Sequence, residues 1–525
     1  MDDSVAGVVA DTETGMSRDT AKRELARGFG WRMGATLTGS FVQFLVGIAL
    51  ARLVAPEAYG LYTLVNVFVM LGDTVGGFGM EQAVVQAASI ERDDVRVAFT
   101  TSTVASALVA MALWLGADVT LPLMHEPALP PLLRWGTLAV LAQGAGATAR
   151  GLLLRDLRFR ELAIAETGGA LLGNAAVSLT LAGLGYGASA LVAGLIAANM
   201  LRSAVAYGFA RHSVRPSLDR RRARSLLVFG AGIAAAGLLN WIAIRGSSAV
   251  GGIVLGISDL GLYNRGIAIA FAPFSQVFQS ASYALYPTAC RMRASAGGLE
   301  WLHLRILEAS ALAAVPISAF AVVLADSIVL GLLGPVWAGA AIVVQVLGLV
   351  LFARAAYNLQ AALLRAEGAV GWLTAAQGAY GIVTTGLTWW LGSRYGLAGA
   401  AAALSVAIVV MLVLITWRAM RITRVAPSAV WRALRPGSLL GGTSLAVCVA
   451  VRALGRATQW PSLATLFVGG AAFAASVAAY LMLLPESATG RMAKNALRLA
   501  RRQGLAFAAK MRVRCFAKRG EVHHS

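Results

Sequence analysis

Apolar runs of about 20 residues, each long enough to cross a hydrocarbon core of about 30 Å as an α-helix, recur along this chain from Trp31 to Leu484. They constrain the fold more than any motif does. A closed strand barrel would alternate apolar and polar residues instead, so the unbroken runs leave an all-α, polytopic membrane protein. Of 525 residues, 58% are hydrophobic and only 13% charged, which is too little polar surface to cover a soluble body of this size. Hydropathy predicts fourteen spans, at 31–51, 58–79, 97–117, 134–153, 163–183, 188–208, 226–244, 261–284, 306–325, 338–357, 371–391, 397–417, 438–455 and 463–484.

The net charge of +20 does not point to nucleic acid, because the arginines lie between the apolar runs and not on a soluble module with an aromatic platform. With the amino terminus inside, 38 of the 45 Lys and Arg fall in or beside cytoplasmic segments. That asymmetry predicts both termini in the cytoplasm and an even number of helices. The clusters Arg215 to Arg224 and Arg491 to Arg519 suit anionic membrane lipids. Residues 1–25 carry Asp2, Asp3, Asp11, Glu13 and Asp19 without an apolar core, and so read as a disordered tail and not a secretory signal. The first span is then expected to direct insertion. In the basic tail 486–525, Leu497, Leu499, Leu505 and Phe507 suggest an amphipathic surface helix. Cys290, Cys448 and Cys515 are too scattered for a metal site or a disulfide framework.

A weak internal repeat organises the spans. Gly60-Leu61-Tyr62 opens the second span and Gly261-Leu262-Tyr263 the eighth, while Tyr186-Gly187 precedes the sixth and Tyr395-Gly396 the twelfth. Each match lies six spans on, which implies two parallel six-helix lobes around a midplane cavity. The expected divisions are a lobe at 26–210, a basic linker at 211–225, a second lobe at 226–420, and two extra helices within 421–485.

Ionisable groups in a bilayer are costly and mark cavities or partners. Arg52, Arg245 and Arg265 are candidate substrate-binding residues, with Gln43 and Asn264 as neutral donors; Arg354, Asn240 and Gln276 extend the set. A guanidinium suits phosphate because its planar fork donates two parallel hydrogen bonds and stays charged. The alternative for Arg52 and Arg265 is snorkelling to the headgroups, and for Arg245 a mere span end. Asp73, Glu81 and Asp259 are candidate ion-coupling groups, Asp73 serving alternatively as a buried partner for an arginine; Glu166 lies within the fifth span. Gly76, Gly77 and Gly79 suggest a helix break, since no phosphate-loop pattern follows. Pro273 is a candidate hinge. His125 and His303 are isolated and no nucleophile motif appears, so neither a cofactor nor catalysis is expected.

Three stretches carry a family resemblance. Ala51-Arg52-Leu53-Val54-Ala55-Pro56-Glu57-Ala58-Tyr59-Gly60, the segment from Asp73 to Gln86, and Leu260-Gly261-Leu262-Tyr263-Asn264-Arg265-Gly266 with Pro273 and Pro287 resemble the polysaccharide-transport branch of the multidrug/oligosaccharidyl-lipid/polysaccharide exporter superfamily. Ala55 and Gly266 depart from its usual glycine and alanine. The resemblance implies twelve core helices plus two, and cargo such as a polyprenyl-pyrophosphate-linked oligosaccharide flipped across a bacterial inner membrane. It also implies cavity arginines in the first and eighth helices, at the positions of Arg52 and Arg265, with polymerase and glycosyltransferases of the same pathway as possible partners. The rivals are a cation-coupled drug or metabolite antiporter and a membrane polysaccharide polymerase or glycosyltransferase.

The charge asymmetry yields a direct test. Single cysteines in 209–225 should resist an impermeant thiol reagent in intact cells, whereas cysteines in 118–133 and 326–337 should react; labelling of 209–225 from outside would refute the topology.

Overall fold

The structure, a computed structural model, describes Gly39 and residues 41–483 other than Phe78, Ala88, Leu218, Ala294 and Ala296. The expected tails 1–25 and 486–525, the tail helix around Leu497 to Phe507, Cys515 and the start of the first span lie outside the described residues. Every regular element within them is helical.

In chain order, α1 is Phe41–Leu53. Next, α2 runs Pro56–Gly76 and resumes as Met80–Gln86 after a break at Gly77 and Gly79. Then come α3 (Arg92–Leu115), α4 (Leu129–Arg155), α5 (Phe159–Gly183) and α6 (Gly187–Phe209). Helix α7 is Arg220–Val254, and α8 is Ile257–Met292, helical throughout, Pro273 included. They are followed by α9 (Gly298–Val323), a short helix Ala325–Leu332, and α10, a pair of helices Ala340–Gly348 and Leu351–Ala366 bent by 55°. The next helical stretch, Val370–Thr423, has 54 residues. Straight, it would measure about 80 Å, more than twice a bilayer core. Non-helical backbone at Gly396 divides it into α11 (370–395) and α12 (397–423). Finally, α13 is Pro427–Ala457 and α14 is Ser462–Leu483.

Among the described residues ten helices are long and apolar enough to span a membrane, or eleven with the bent pair. The chain is thus an all-α polytopic membrane protein. A count of fourteen further needs α1, α8 and the division of Val370–Thr423 at Gly396.

Helices α2 to α6 pack chiefly on one another, as do α8 to α12, while α7 packs on α2 and on the Val370–Thr423 stretch. Helix α13 lies along α9 and α14 along α13. The segment after α6 is stitched to α3: the Ser217 amide donates to Thr100 Oγ1 at 3.0 Å, and Arg96 to the Arg215 carbonyl at 3.3 Å. His212 sits between the rings of Phe99 and Tyr207, and burial there lowers its imidazole pKa below the ordinary value.

The two Gly-Leu-Tyr repeats are pressed against each other where α2 crosses α8. A Cβ on Gly60 would lie 1.9 Å from the Ile257 carbonyl oxygen, and one on Gly261 would lie 1.9 Å from the Pro56 carbonyl oxygen. Residues 56 and 60 shifted by the repeat offset become 257 and 261, so the two contacts are images of each other. Only glycine lets the backbones approach this closely. Beside the crossing, Ser258 Oγ donates to Glu57 Oε1 at 2.9 Å, and Trp337 Nε1 donates to the Ala51 carbonyl at 2.6 Å. The second repeat has its own shared geometry: Gly187 (φ 51°) and Gly396 (φ 57°) each open a helix from a left-handed backbone after an exposed tyrosine. A side chain at either position would be strained.

Because Glu57 and Ser258 already touch, the double variant Glu57→Cys/Ser258→Cys, in a background without Cys290, Cys448 and Cys515, should cross-link efficiently under mild oxidation, read as a gel shift after proteolysis between α2 and α8. Failure to cross-link would refute the crossing.

Candidate functional site

Two arginines of the second half gather around one tyrosine of the first, and a third lies against a phenylalanine of α8. Arg245 on α7 and Arg265 on α8 both neighbour Tyr62 on α2. The Arg265 guanidinium lies 5.2 Å from the centre of the Tyr59 ring, a cation–π contact that partly offsets desolvation. Its Nε is buried with no hydrogen-bond partner. Among the described residues Arg245 donates only to the Met70 sulfur, at 3.1 Å, a weak acceptor. Arg354 on α10 stacks over Phe271 at 4.1 Å. Among the described residues none of these three arginines pairs with a carboxylate.

The remaining candidate substrate residues divide by geometry. Gly47 on α1 faces Arg265 so closely that a Cβ there would lie 2.7 Å from Nη2. Gln43, one turn earlier and exposed, shares that face. Arg52 comes five residues after Gly47, about 140° further round the helix. It therefore points elsewhere, donating from Nε to the Leu332 carbonyl at 2.8 Å and from Nη2 to the Gly331 carbonyl at 2.6 Å. Those oxygens end the Ala325–Leu332 helix, where a cation complements the dipole. Asn264 ties α7 to α8: it accepts from Ser248 Oγ at 2.9 Å and donates to the Leu260 carbonyl at 3.1 Å.

The acidic candidates lie apart from this cluster. Asp73 on α2 receives the Gln143 amide of α4 at 2.6 and 2.8 Å once the amide is oriented to donate. Glu81 pairs with Arg150 at 3.1 Å, and Arg150 also donates to the Gln143 carbonyl at 3.3 Å. Glu166 pairs with Arg202 at 2.9 Å. These groups form a polar seam through α2, α4, α5 and α6. Asp259 stands in the first turn of α8, where a carboxylate complements the helix dipole, and makes no ion pair among the described residues.

Sequence reading missed Tyr59, Tyr62, Gln143, Arg150 and Arg202 as parts of these clusters. Arg150 carried a signal, being a charge inside the apolar run 134–153, but its position near the cytoplasmic end suggested a flanking residue. The tyrosines carried none beyond the place of Tyr62 in the repeat and of Tyr59 in the first motif stretch.

The profile described as "Polysaccharide biosynthesis protein" matches residues 49–342, more than half of the chain. The chain belongs to the polysaccharide biosynthesis protein family. This family member is 28% identical over 267 residues to the succinoglycan biosynthesis transport protein ExoT of Rhizobium meliloti, covering 51% of this chain and 54% of that one. It is 24% identical over 325 residues to the lipopolysaccharide biosynthesis protein WzxC of Escherichia coli, covering 61% and 65%. The matched parts thus span about half to two thirds of these relatives. In fold it resembles the lipid II flippase MurJ in an inward closed conformation, with a TM-score of 0.67 at 11% identity over 85% of this chain and 97% of that one. An inward-facing multidrug transporter of the MOP superfamily gives 0.57 at 15% identity over 74% and 95%. Family and fold therefore agree with the resemblance carried by the three motif stretches.

The seam yields a test of its own. Arg150→Met should leave Glu81 unpaired and lower stability by about 2 kcal/mol, within the range for a charged hydrogen bond lost from a poorly hydrated site. Adding Glu81→Gln should recover part of the loss, because the stranded charge is gone. Thermal unfolding of the purified variants in detergent measures both, and a double variant no better than Arg150→Met would refute the pairing.

Proposed function

We propose that this chain is a flippase that carries a polyprenyl-pyrophosphate-linked oligosaccharide across a bacterial inner membrane by alternating access, without covalent chemistry. The observation that carries the reading is the presence of Arg245 and Arg265 beside Tyr62, without a carboxylate partner among the described residues. A guanidinium left unpaired in such surroundings is destabilising unless an anion or water meets it. A pyrophosphate offers several oxygens to two planar forks at once. Gln43 and the rings of Tyr59 and Tyr62 are suited to the first sugar, through amide hydrogen bonding and ring stacking. The names of ExoT, WzxC and MurJ support the same class of cargo.

The proposal extends to architecture. Fourteen spans form two six-helix lobes plus α13 and α14, with both termini cytoplasmic, so that the α2–α8 crossing closes the external side. The reciprocal contacts at Gly60 and Gly261 and the matched backbones at Gly187 and Gly396 support two related lobes. Asp73, held by a neutral amide and not by a guanidinium, is the proposed ion-coupling group; Glu81, already paired with Arg150, serves to position it. A polymerase and glycosyltransferases of the same pathway are the proposed neighbours. A cation-coupled drug or metabolite antiporter would favour acidic groups in the cavity, where this chain has Arg245 and Arg265 without a carboxylate partner among the described residues.

Arg245→Ala and Arg265→Ala should each lower polymer export at least about tenfold with normal protein in the membrane, the weight of a charge-assisted hydrogen bond. Lysine at either position should restore only part, lacking the fork. Arg52→Ala should instead lower thermal stability while sparing the export of each remaining folded molecule. Unchanged export by both alanine variants at Arg245 and Arg265 would overturn the cargo assignment.

A further inference from the structure

A second basic site is lined by neither Arg245 nor Arg265. The last turns of α13, the end of α9 and the start of α10 enclose a pocket of about 300 Å³. Its lining includes Arg452, Arg456, Gln345, Val322, Val323 and Val449. Arg452 shares one nitrogen with Asp326 at 2.7 Å, but both side chains are solvent-accessible, and such a pair holds an arginine only weakly. The side chains of Arg456 and Gln345 make no hydrogen bond or ion pair among the described residues. A cation in the last turn of a helix often just complements the dipole. Here, however, two guanidiniums and an amide converge on one apolar-floored pocket.

Below the arginines the surface is greasy in two strips. On α13, Leu445, Val449, Arg452 and Arg456 follow the spacing of one helix face, and Leu445 and Val449 are exposed. On α10, Ile342, Gln345 and Leu349 do the same, and Ile342 and Leu349 are exposed. The α13 strip thus runs from the arginines at the pocket to an apolar track, whereas on α10 Ile342 and Leu349 flank Gln345 on its two sides along the helix.

We propose that this pocket binds the phosphate of an anionic phospholipid, with Arg452 and Arg456 on the phosphate, Gln345 on the glycerol or headgroup oxygens, one acyl chain along Leu445 and Val449, and the other past Leu349. Two tracks suit a two-chain lipid and not a single polyprenyl chain. Which leaflet supplies the lipid, here the outer one, rests on the topology proposed above; binding itself does not.

The experiment is native mass spectrometry of the full chain in mild detergent, titrated with phosphatidylglycerol or phosphatidylcholine. One phosphatidylglycerol should be retained in preference to phosphatidylcholine. Arg456→Gln should weaken it about fivefold, which corresponds to about 1 kcal/mol for one basic side chain near an anionic lipid surface. Arg452→Gln should do likewise, while Arg394→Gln, a basic residue stacked on Trp390 elsewhere, should change nothing. Equal retention by the wild type and both pocket variants overturns the site. So does an equal loss in Arg394→Gln, which would mean general attraction to basic surface. Displacement of phosphatidylglycerol by inorganic phosphate, or by polyprenyl phosphate at equal concentration, assigns the pocket to a free ion or to the cargo and overturns the phospholipid. Because the measurement is made in detergent, its failure is separable from failure of the topology, which cysteine labelling reads, and of the cargo assignment, which export reads.

Discussion

A charge carried into a bilayer must find a partner, and this requirement arranges nearly every polar residue of the described chain. In the first half the requirement is met internally: Glu81 with Arg150, Glu166 with Arg202, and Asp73 with the Gln143 amide close a seam that binds α2 to α4 and α5 to α6. In the second half Arg293, Arg305 and Arg452 pair with Glu367, Glu308 and Asp326, but at three other arginines it is left open among the described residues. Arg245, Arg265 and Arg354 have aromatic rings and a sulfur beside them, contacts that soften desolvation without neutralising charge. The difference sets a neutralised seam around Asp73 and a cationic cluster around Tyr62 about three turns apart along α2. An anion is the natural complement of that asymmetry.

The fold class was legible because hydrophobic runs report the bilayer directly. So was the repeat, and its physical content exceeded what the letters suggested. Matching tripeptides six spans apart could only imply related lobes; the structure adds that the two glycines meet each other's helix starts, and that Gly187 and Gly396 share a left-handed backbone. Division of the helix at Gly396 was legible for the same reason, as a turn between two hydropathy runs.

The site was legible by residue type and not by direction. Arg52 and Arg265 occupy comparable places in the motifs, yet Arg52 turns to the carbonyls of Gly331 and Leu332 while Gly47 faces Arg265. Five residues of helix separate these outcomes, and a motif gives no rotation about the axis until the neighbouring helices are known. Asn264 illustrates the same limit, since its amide is saturated by Ser248 and the Leu260 carbonyl. Partners distant in sequence, such as Gln143 for Asp73, have no local signature at all.

Crossing and cation cluster share the same two helices, and this links binding to movement. Gly261 and Arg265 are one turn apart on α8, so both present to α2. On α2, Tyr59 adjoins Gly60, and Tyr62 follows within a turn. A ligand that draws the Arg265 guanidinium off the Tyr59 ring therefore acts within about 6 Å, one helical turn, of the tightest backbone contact between the two halves. Glycine packing at the crossing has no side chain to adapt, so it is either in register or lost. A contact of that kind converts a small displacement at the arginines into a choice between closed and open. On the proposed function, the occupied site would bias this choice, and the seam around Asp73, which lies on the Tyr62 face of α2 about three turns further along, would supply the second input.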